Sequence, residues 1–182
     1  AGKLELEEIE FNLRTMLEEA MDAAAARAQH KGLRTILWIS PEAPEAVRGD
    51  RARLMQVMTN FLGNAAKFTE SGRIVLRASS RAATGSPRVE LVLEVEDTGP
   101  GIPEKVRQKL FEPFVQSDSS IRRRFGGTGL GLTISRQIAT AMAGSIEVES
   151  APGEGSVFRL AVPAEPVPVA RGTETMSFSN AL

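Results

Sequence analysis

The sequence contains no cysteine and only one histidine, His30, among its 182 residues. The missing cysteines exclude disulfides, thiolate metal sites and cysteine nucleophiles, and they are compatible with a cytoplasmic location. A single histidine excludes a metal site built from several imidazoles. Lysine and arginine total 22 against 23 acidic residues, so no excess of positive charge favours binding to nucleic acid or to an acidic membrane surface. No apolar run approaches the roughly 20 residues of a membrane span, and the N-terminal segment AGKLELEEIE lacks the features of a signal peptide.

The pattern of apolar residues and turn signals predicts a mixture of helices and strands. Asn12 and Asp50 are typical N-caps, and each precedes a helical segment. A Pro152–Gly153 turn predicts a hairpin near the C-terminal end. We predict helices over 12–30, 50–68 and 128–143, a further helix from Pro103, and strands over 4–11, 33–39, 73–81, 88–96, 145–150 and 156–162. This mixture without strict alternation predicts an α+β fold, a two-layer α/β sandwich with a partly antiparallel sheet and the helices on one face.

The composition also predicts how the chain divides. Residues 1–163 are expected to form one domain, which is long enough to bury a core. From residue 164 on, the chain is rich in proline, glycine, serine and threonine without an apolar period. We therefore predict a flexible linker or tail over 164–182.

Asp97 lies on the inward face of a predicted strand. The apolar residues at 89, 91, 93 and 95 share one face, and strand parity places Asp97 on the same side. A buried carboxylate is costly unless it is hydrogen-bonded. A turn aspartate is the ordinary alternative, but Gly99 and Gly101 follow, and glycines let the backbone approach a flat ligand closely. Asp97 could therefore accept a hydrogen bond from an exocyclic amine such as adenine N6.

A second glycine cluster occurs in the segment FGGTGLGLTIS, residues 125–135. Glycines are unfavourable inside helices, so their concentration at the start of a predicted helix points to a phosphate site at its N-terminus. A hinge or close helix packing is the alternative, and the pattern is neither a P-loop nor a Rossmann fingerprint. Arg122, Arg123 and Arg124 precede it, either as a solvated face or as charges that neutralise polyphosphate.

The third cluster is a polar stripe on the predicted helix 50–68. Asn60, Asn64 and Lys67 lie on one face at helical spacing. An ordinary solvent face is the alternative, but two short amides are unusual inside a helix. An amide oxygen suits Mg²⁺, which relies on waters and substrate phosphates for its other ligands, and Lys67 could contact a phosphate. One ligand fits all three clusters, namely Mg²⁺ with an adenine nucleotide.

Five segments in order resemble the motifs of one family. QVMTNFLGNAAKFT (56–69) resembles the N box, DTGPGIP (97–103) the first glycine box and LFEPFVQ (110–116) the F box. GGTGLGLTIS (126–135) resembles the second glycine box, and SAPGEGSVF (150–158) the strand-turn-strand that closes the domain. Over residues 4–163 the chain thus resembles the catalytic and ATP-binding domain of a two-component sensor histidine kinase. That domain belongs to the superfamily of gyrase, ATP-driven chaperones and mismatch-repair ATPases.

The resemblance implies a Bergerat-type ATP-binding fold, with three helices on one face of a mixed sheet and an ATP lid between the F box and the second glycine box. It implies catalytic roles for Asn60, Asn64 and Lys67, with Asn64 as the Mg²⁺ ligand. Phe111 and Phe114 would anchor the lid, or would be plain core aromatics. The implied nucleotide contacts are Asp97, Gly99, Gly101, Ile102, Phe114, Arg124, Gly127, Thr128, Gly129, Leu130, Gly131, Leu132 and Ser156.

Asn60 distinguishes between reactions within this superfamily. Hydrolytic members carry glutamate at this position as the base that activates water, and an asparagine cannot act as a base. Phosphoryl transfer from ATP to another nucleophile is therefore favoured over hydrolysis. Two alternatives stay open at this point, a non-catalytic nucleotide-binding or docking module of a degenerate kinase and an ATP hydrolase.

The acceptor of the phosphoryl group is expected on another domain. Kinases of this family phosphorylate a histidine on a helix of a dimerisation domain. The segment around His30 is superficially similar to that acceptor motif, but no proline follows Thr35 and Gly32 ends the helix, so we expect an ordinary surface histidine. The implied partners are a dimerisation domain that precedes this chain and a response regulator or receiver domain. The chain alone should not autophosphorylate, and the implied location is the cytoplasm, without membrane insertion by this domain.

Overall fold

The computed structural model describes residues 5–83, 85–111 and 130–168, apart from the side chain of Leu130. The strands of this part are β1 (Ile9–Asn12), β2 (Arg34–Ile39), β3 (Ala46–Gly49), β4 (Arg73–Ala82), β5 (Val89–Asp97), β6 (Ser145–Ala151) and β7 (Gly155–Val167). The helices are α1 (Leu13–His30), α2 (Arg51–Phe68), α3 (Glu104–Arg107) and α4 (Leu130–Ala141). None of the helices in the described ranges is long and apolar enough to cross a membrane.

The strands form one mixed sheet in the order β1-β3-β7-β5-β4-β2, and β6 pairs with β7 beside this path. The β2–β4 pair is parallel and every other pair is antiparallel. The long strand β7 joins the parts of the sheet, because residues 155–164 pair with β6 and β5 while its last residues pair with β3. The predicted mixed sheet is confirmed.

Helices α1, α2 and α4 cover one face of this sheet and share one hydrophobic core with it. The apolar side chains of α2, spaced three or four residues apart, are buried from Leu54 to Ala65, whereas Phe68 at the end of the helix is only half-buried. The ring of Phe61 packs on that of Phe158 at a centroid distance of 5.3 Å, which joins α2 to β7. On β5 the odd-numbered residues are the inward ones, so the parity that places Asp97 inside is confirmed.

Ion pairs hold the opposite face of the sheet together. Arg159 on β7 donates to Glu94 on β5 at 2.7 Å, and Arg77 on β4 donates to Glu96 at 2.5 Å. Burial raises the pKa of Glu96, but the hydrogen bonds from Arg77 and Arg73 outweigh it, so the net pKa is lowered. These pairs fix β5 from both sides, and β5 carries Asp97 at its end.

The predicted helix starts follow from their caps. Asn12 Oδ1 accepts from the backbone N–H of Thr15 at 2.9 Å, and Asp50 Oδ1 accepts from that of Arg53 at 2.9 Å. Helix α1 ends where predicted, because Gly32 takes a φ of +67° just after it. The predicted hairpin is confirmed as well, with Gly153 at a φ of +83° between β6 and β7.

Three predicted elements need correction. Strand β1 begins at Ile9, later than the predicted span 4–11, and ends one residue beyond it at Asn12. The helix expected from Pro103 is the single turn Glu104–Arg107. Strand β7 runs to Val167, so residues 164–167 belong to the sheet and not to a linker. Strand β3 was not predicted, because its four residues bury only Val47. The remainder of the expected tail, from 169, and the expected lid between the F box and the second glycine box lie outside the described residues.

Candidate nucleotide-binding site

Asp97 ends strand β5 and is buried, with 7% of its surface exposed. Its Oδ1 accepts a hydrogen bond from the backbone N–H of Gly99 at 2.8 Å and one from Thr69 Oγ1 at 3.4 Å. Thr69 is itself fully buried at the C-terminal end of α2. The aspartate is therefore fixed from two sides, by the turn that follows it and by the helix packed on it.

Both of these hydrogen bonds use the same carboxylate oxygen. Within the described residues no hydrogen bond to Oδ2 of Asp97 is found, so this oxygen keeps its capacity to accept. Burial raises the pKa of Asp97 above its ordinary value, although the bonds from Gly99 and Thr69 act in the opposite direction. Oδ1 therefore holds the side chain in place, while Oδ2 can accept a hydrogen bond from a ligand.

The turn after Asp97 needs glycine because other backbone approaches it closely. Gly101 has a φ of +70°, and a Cβ there would lie 1.8 Å from the carbonyl oxygen of Ala151. A Cβ on Gly99 would lie 2.7 Å from Asp97 Oδ1. A Cβ on Gly155 would lie 2.0 Å from the carbonyl oxygen of Asp97. The first glycine box and the β6–β7 turn are therefore packed backbone to backbone.

Side chains of the β6–β7 hairpin hold the far side of this turn. Ser150 Oγ accepts from the backbone N–H of Ile102 at 2.8 Å and lies 3.0 Å from Ser156 Oγ. Ser156 is buried and pairs with Asp97 across the β5–β7 ladder. Ile102 packs against the hydrophobic core. The structure thus brings Asp97, Gly99, Gly101, Ile102 and Ser156 together.

Asn60, the first residue of the polar stripe on α2, contacts α4. Asn60 Nδ2 donates to Ser135 Oγ at 3.0 Å, and Ser135 is buried with 2% exposure. A Cβ on Gly131 would lie 2.3 Å from Asn60 Oδ1. Helix α4 can therefore pack closely on α2 only because position 131 has no side chain. Leu132, on the next position, packs against the core.

Asn64 and Lys67 follow Asn60 on α2. The side chain of Asn64 is half-buried and makes no hydrogen bond to any described residue. The Lys67 ammonium lies 4.9 Å from the centroid of the Phe68 ring. No cluster of three histidine, cysteine or acidic side chains that could hold a metal occurs in the described ranges. Of the side chains on this stripe, Asn64 has an amide oxygen that no hydrogen bond to a described residue occupies.

The remaining predicted site residues lie at the edges of the range 112–129 or within it, and the structure does not describe this range. Leu130 begins α4, but its side chain is outside the described set. Phe111 is half-buried, with the guanidinium carbon of Arg136 5.7 Å from its ring centroid. The predicted residues that lie outside the described ranges are Phe114, Arg122, Arg123, Arg124, Gly127, Thr128 and Gly129.

Three residues that hold the site elements in place were not predicted from the sequence. Thr69 lies within the N box, yet only the fold reveals its bond to Asp97. Lys31 Nζ donates to the carbonyl oxygens of Lys67 at 2.8 Å and Thr69 at 3.0 Å, and so caps the C-terminal end of α2. Ser135 has no sequence signal beyond its helical spacing from the glycines. All three act through contacts between segments that are distant in the chain.

Comparison with known proteins gives consistent matches. BarA, a signal transduction histidine-protein kinase of Escherichia coli K12, is 45% identical over 158 residues, which are 87% of this chain and 17% of BarA. The sensor histidine kinase AruS of Pseudomonas aeruginosa is 44% identical over 153 residues, 84% of this chain and 15% of AruS. The chain therefore spans only about a sixth of the length of these relatives.

The fold of this chain is similar to that of solved histidine kinase structures. The crystal structure of full-length ShkA in complex with AMPPNP superposes with a TM-score of 0.79 at 33% identity, over 93% of this chain and 34% of ShkA. The nucleotide-free catalytic domain of the histidine kinase ThkA superposes with a TM-score of 0.69 at 28% identity, over 89% of this chain and 99% of that domain. Residues 49–166 match the sequence family described as histidine kinase-, DNA gyrase B-, and HSP90-like ATPase. The chain belongs to this family of ATPase domains, in the branch found in sensor histidine kinases.

Proposed function

We propose that this domain binds Mg-ATP and donates the γ-phosphoryl group to a histidine on a separate dimerisation domain, as the catalytic step of two-component signalling. Membership of the family and the names of the matching kinases support this proposal. The observation that carries it is the Asp97 carboxylate, which is buried and fixed through Oδ1 while Oδ2 has no hydrogen bond to a described residue.

Adenine suits this carboxylate because its exocyclic amine can only donate. An ionised carboxylate can only accept, and a partly buried one gains more from such a bond than an exposed one. Gly99 and Gly101 let the turn pack tightly against Asp97 and the β6–β7 hairpin, because a Cβ at either position would meet Asp97 Oδ1 or the carbonyl oxygen of Ala151. Ile102 and Ser156 complete the wall of the proposed base pocket.

Mg²⁺ fits the polar stripe of α2. Asn64 offers a neutral amide oxygen without a competing hydrogen bond to the described residues, and Mg²⁺ keeps most of its waters and relies on substrate phosphates. Bound Mg²⁺ would neutralise charge on the transferring phosphoryl group. Lys67 would add a point charge from the same helix. The glycines at 127 and 129 and Arg124 would act on the phosphates, in the segment that lies outside the described residues.

Asn60 favours transfer over hydrolysis. Its amide cannot take a proton from water, and its Nδ2 is bound to Ser135. His30 is exposed as the last residue of α1 and precedes Gly32, so we propose that the acceptor histidine lies on another domain and that a response regulator receives the phosphoryl group next. We place this activity in the cytoplasm, where ATP and response regulators are available.

Nucleotide binding and phosphoryl transfer are tested separately. Calorimetry with this chain should show Mg-ADP binding that Asp97→Asn weakens. The full-length parent polypeptide, incubated with ATP labelled at the γ-phosphate, should then gain an acid-labile, base-stable label on histidine, whereas this chain alone should not.

Two results would contradict the proposal. Tight Mg-ATP binding without any labelling of the parent polypeptide would indicate a non-catalytic nucleotide-binding module. Release of inorganic phosphate by this chain, abolished by Asn60→Ala, would indicate a hydrolase. Neither alternative is favoured by a contact in the described residues.

A further inference from the structure

Ser150 lies at the centre of a hydrogen-bond cluster beside the proposed base pocket. Its Oγ accepts from the backbone N–H of Ile102 at 2.8 Å and donates to the carbonyl oxygen of Gly155 at 2.7 Å. It also lies 3.0 Å from Ser156 Oγ. One hydroxyl therefore connects the first glycine box, the β6–β7 turn and the strand that pairs with Asp97.

The direction of each of these bonds follows from the number of protons. A serine hydroxyl has one proton and two lone pairs. The Ile102 N–H can only donate, so it takes one lone pair, and the Gly155 carbonyl can only accept, so it takes the proton. The remaining lone pair of Ser150 can only accept, and the Ser156 hydroxyl must therefore donate to Ser150.

This direction matters for Asp97, which pairs with Ser156 across the β5–β7 ladder. Side chains opposite each other in an antiparallel pair lie within about 5.5 Å between their Cβ atoms. A Ser156 hydroxyl released from Ser150 could therefore turn and donate to the Asp97 carboxylate. The bond to Ser150 keeps that proton away from the oxygen that remains available for a ligand.

We propose that Ser150 is a positioning residue for base recognition, which holds the Ile102 loop in place and directs the Ser156 hydroxyl away from Asp97. This inference rests on the proposed binding of adenine nucleotides. Ser150 does not contact the base in this proposal and acts through its three neighbours. Loss of the Ser150 hydroxyl should reduce the discrimination between adenine and other bases. The part of the binding free energy that comes from the phosphates should not change.

The test compares ADP with IDP, since the inosine base carries a carbonyl in place of the adenine amine. Dissociation constants for both Mg-nucleotides are measured by calorimetry for wild type, Ser150→Ala, Ser150→Thr and Ser145→Ala. Ser150→Thr keeps the hydroxyl, and Ser145→Ala is the control at the exposed start of the same strand. Thermal melting of each variant is recorded in parallel.

We expect Ser150→Ala to lose roughly tenfold in affinity for ADP and less than twofold for IDP. The preference for ADP should therefore fall roughly five- to tenfold, and it should be retained in Ser150→Thr and Ser145→Ala. An unchanged preference in Ser150→Ala, or a proportional loss of both affinities, would overturn the proposal, because a purely structural role weakens both nucleotides alike. If Ser150→Ala does not fold, Ser150→Cys replaces it with the same expectation, since a thiol is a weak hydrogen-bonding group.

The wild-type result separates the two proposals. A wild-type chain that binds neither nucleotide, or that binds both equally, contradicts the adenine-binding role of Asp97 and with it the proposed function. If the wild-type chain prefers ADP and Ser150→Ala prefers ADP over IDP by the same factor, only the role of Ser150 is contradicted. A double variant with Ser156→Ala adds a further check, because the proposal requires the two changes to be non-additive.

Discussion

The Asn60 amide on α2 donates to Ser135 on α4 at 3.0 Å, and its oxygen occupies the space that a side chain at position 131 would need. This contact joins the N box to the second glycine box at the point where α4 begins. It gives the glycine at 131 a packing role that is separate from any contact with phosphate. The same residue that is proposed to disfavour hydrolysis therefore also sets the position of α4.

Gly131→Ala is expected to lower the free energy of unfolding by about 1–2 kcal/mol. The new Cβ would lie 2.3 Å from Asn60 Oδ1, so the amide must turn away and give up its bond to Ser135, which is worth about 1 kcal/mol. Crowding adds about 1–3 kcal/mol, and together these costs outweigh the gain in helix propensity of about 1 kcal/mol. Urea unfolding of wild type and variant measures the difference.

The matched control is Gly63→Ala on α2, where a Cβ would meet nothing within 4 Å. That change should raise the free energy of unfolding by about 0.5–1 kcal/mol, because alanine is the better helix former. In an Asn60→Ala background the penalty of Gly131→Ala should vanish. An equal penalty in both backgrounds would show that Asn60 is not the reason for the glycine.

Asp97→Asn is expected to weaken adenine nucleotide binding by roughly 10- to 100-fold, which corresponds to the loss of a charge-assisted hydrogen bond of about 1.5–3 kcal/mol. The amide can still accept through its oxygen at the Gly99 and Thr69 contacts, so the fold should be retained. Calorimetry with Mg-ADP measures the affinity, and circular dichroism checks the fold. An unchanged affinity would refute the adenine assignment of Asp97.

Features encoded within one element were predictable from the sequence. The apolar arc of α2 and its Asp50 cap follow from helical periodicity and from cap chemistry. The inward position of Asp97 follows from the parity of β5 alone. In each case a local rule and the final structure agree, because the residues concerned are close in the chain.

Contacts between distant segments were not predictable in the same way. The bond from Thr69 to Asp97 spans 28 residues, and Lys31 reaches the carbonyl of Thr69 38 residues away. Strand β3 contains only four residues and is stabilised by its neighbours β1 and β7, not by its own pattern. The site residues could be selected from motifs, whereas the residues that hold them in place required the fold.

Asn64→Ala is expected to weaken nucleotide binding at least about tenfold in the presence of Mg²⁺ and less than about twofold in EDTA. The reason is that the amide would contact the metal and not the nucleotide, and Mg²⁺ tolerates the loss of a fixed ligand poorly when it has few. Calorimetry with ADP in both buffers measures the two affinities. Equal losses in both buffers would contradict a metal-binding role for Asn64.

Lys31→Met is expected to lower the free energy of unfolding by about 1–2 kcal/mol. The ammonium donates to two carbonyl oxygens at the end of α2 and to Glu70, and methionine leaves those carbonyls without their donor. Lys105→Met on the exposed side of α3 is the control and should change stability little. Equal unfolding energies for both variants would show that water replaces the Lys31 cap without cost.

The affinity for Mg-ADP should fall on acidification at a higher pH than an ordinary aspartate would cause. Burial raises the pKa of Asp97 above 3.8, and the protonated acid no longer offers an ionised acceptor to the base amine, so binding is lost as the pH falls through this raised pKa. Stability should respond in the opposite direction, because a carboxyl group whose pKa is higher in the folded state favours folding when it becomes protonated. Calorimetry between pH 4 and pH 7, with circular dichroism to confirm the fold, measures the midpoint. The Asp97→Asn variant should lack this midpoint, and a loss of affinity that follows the same pH course in the variant would assign it to another group.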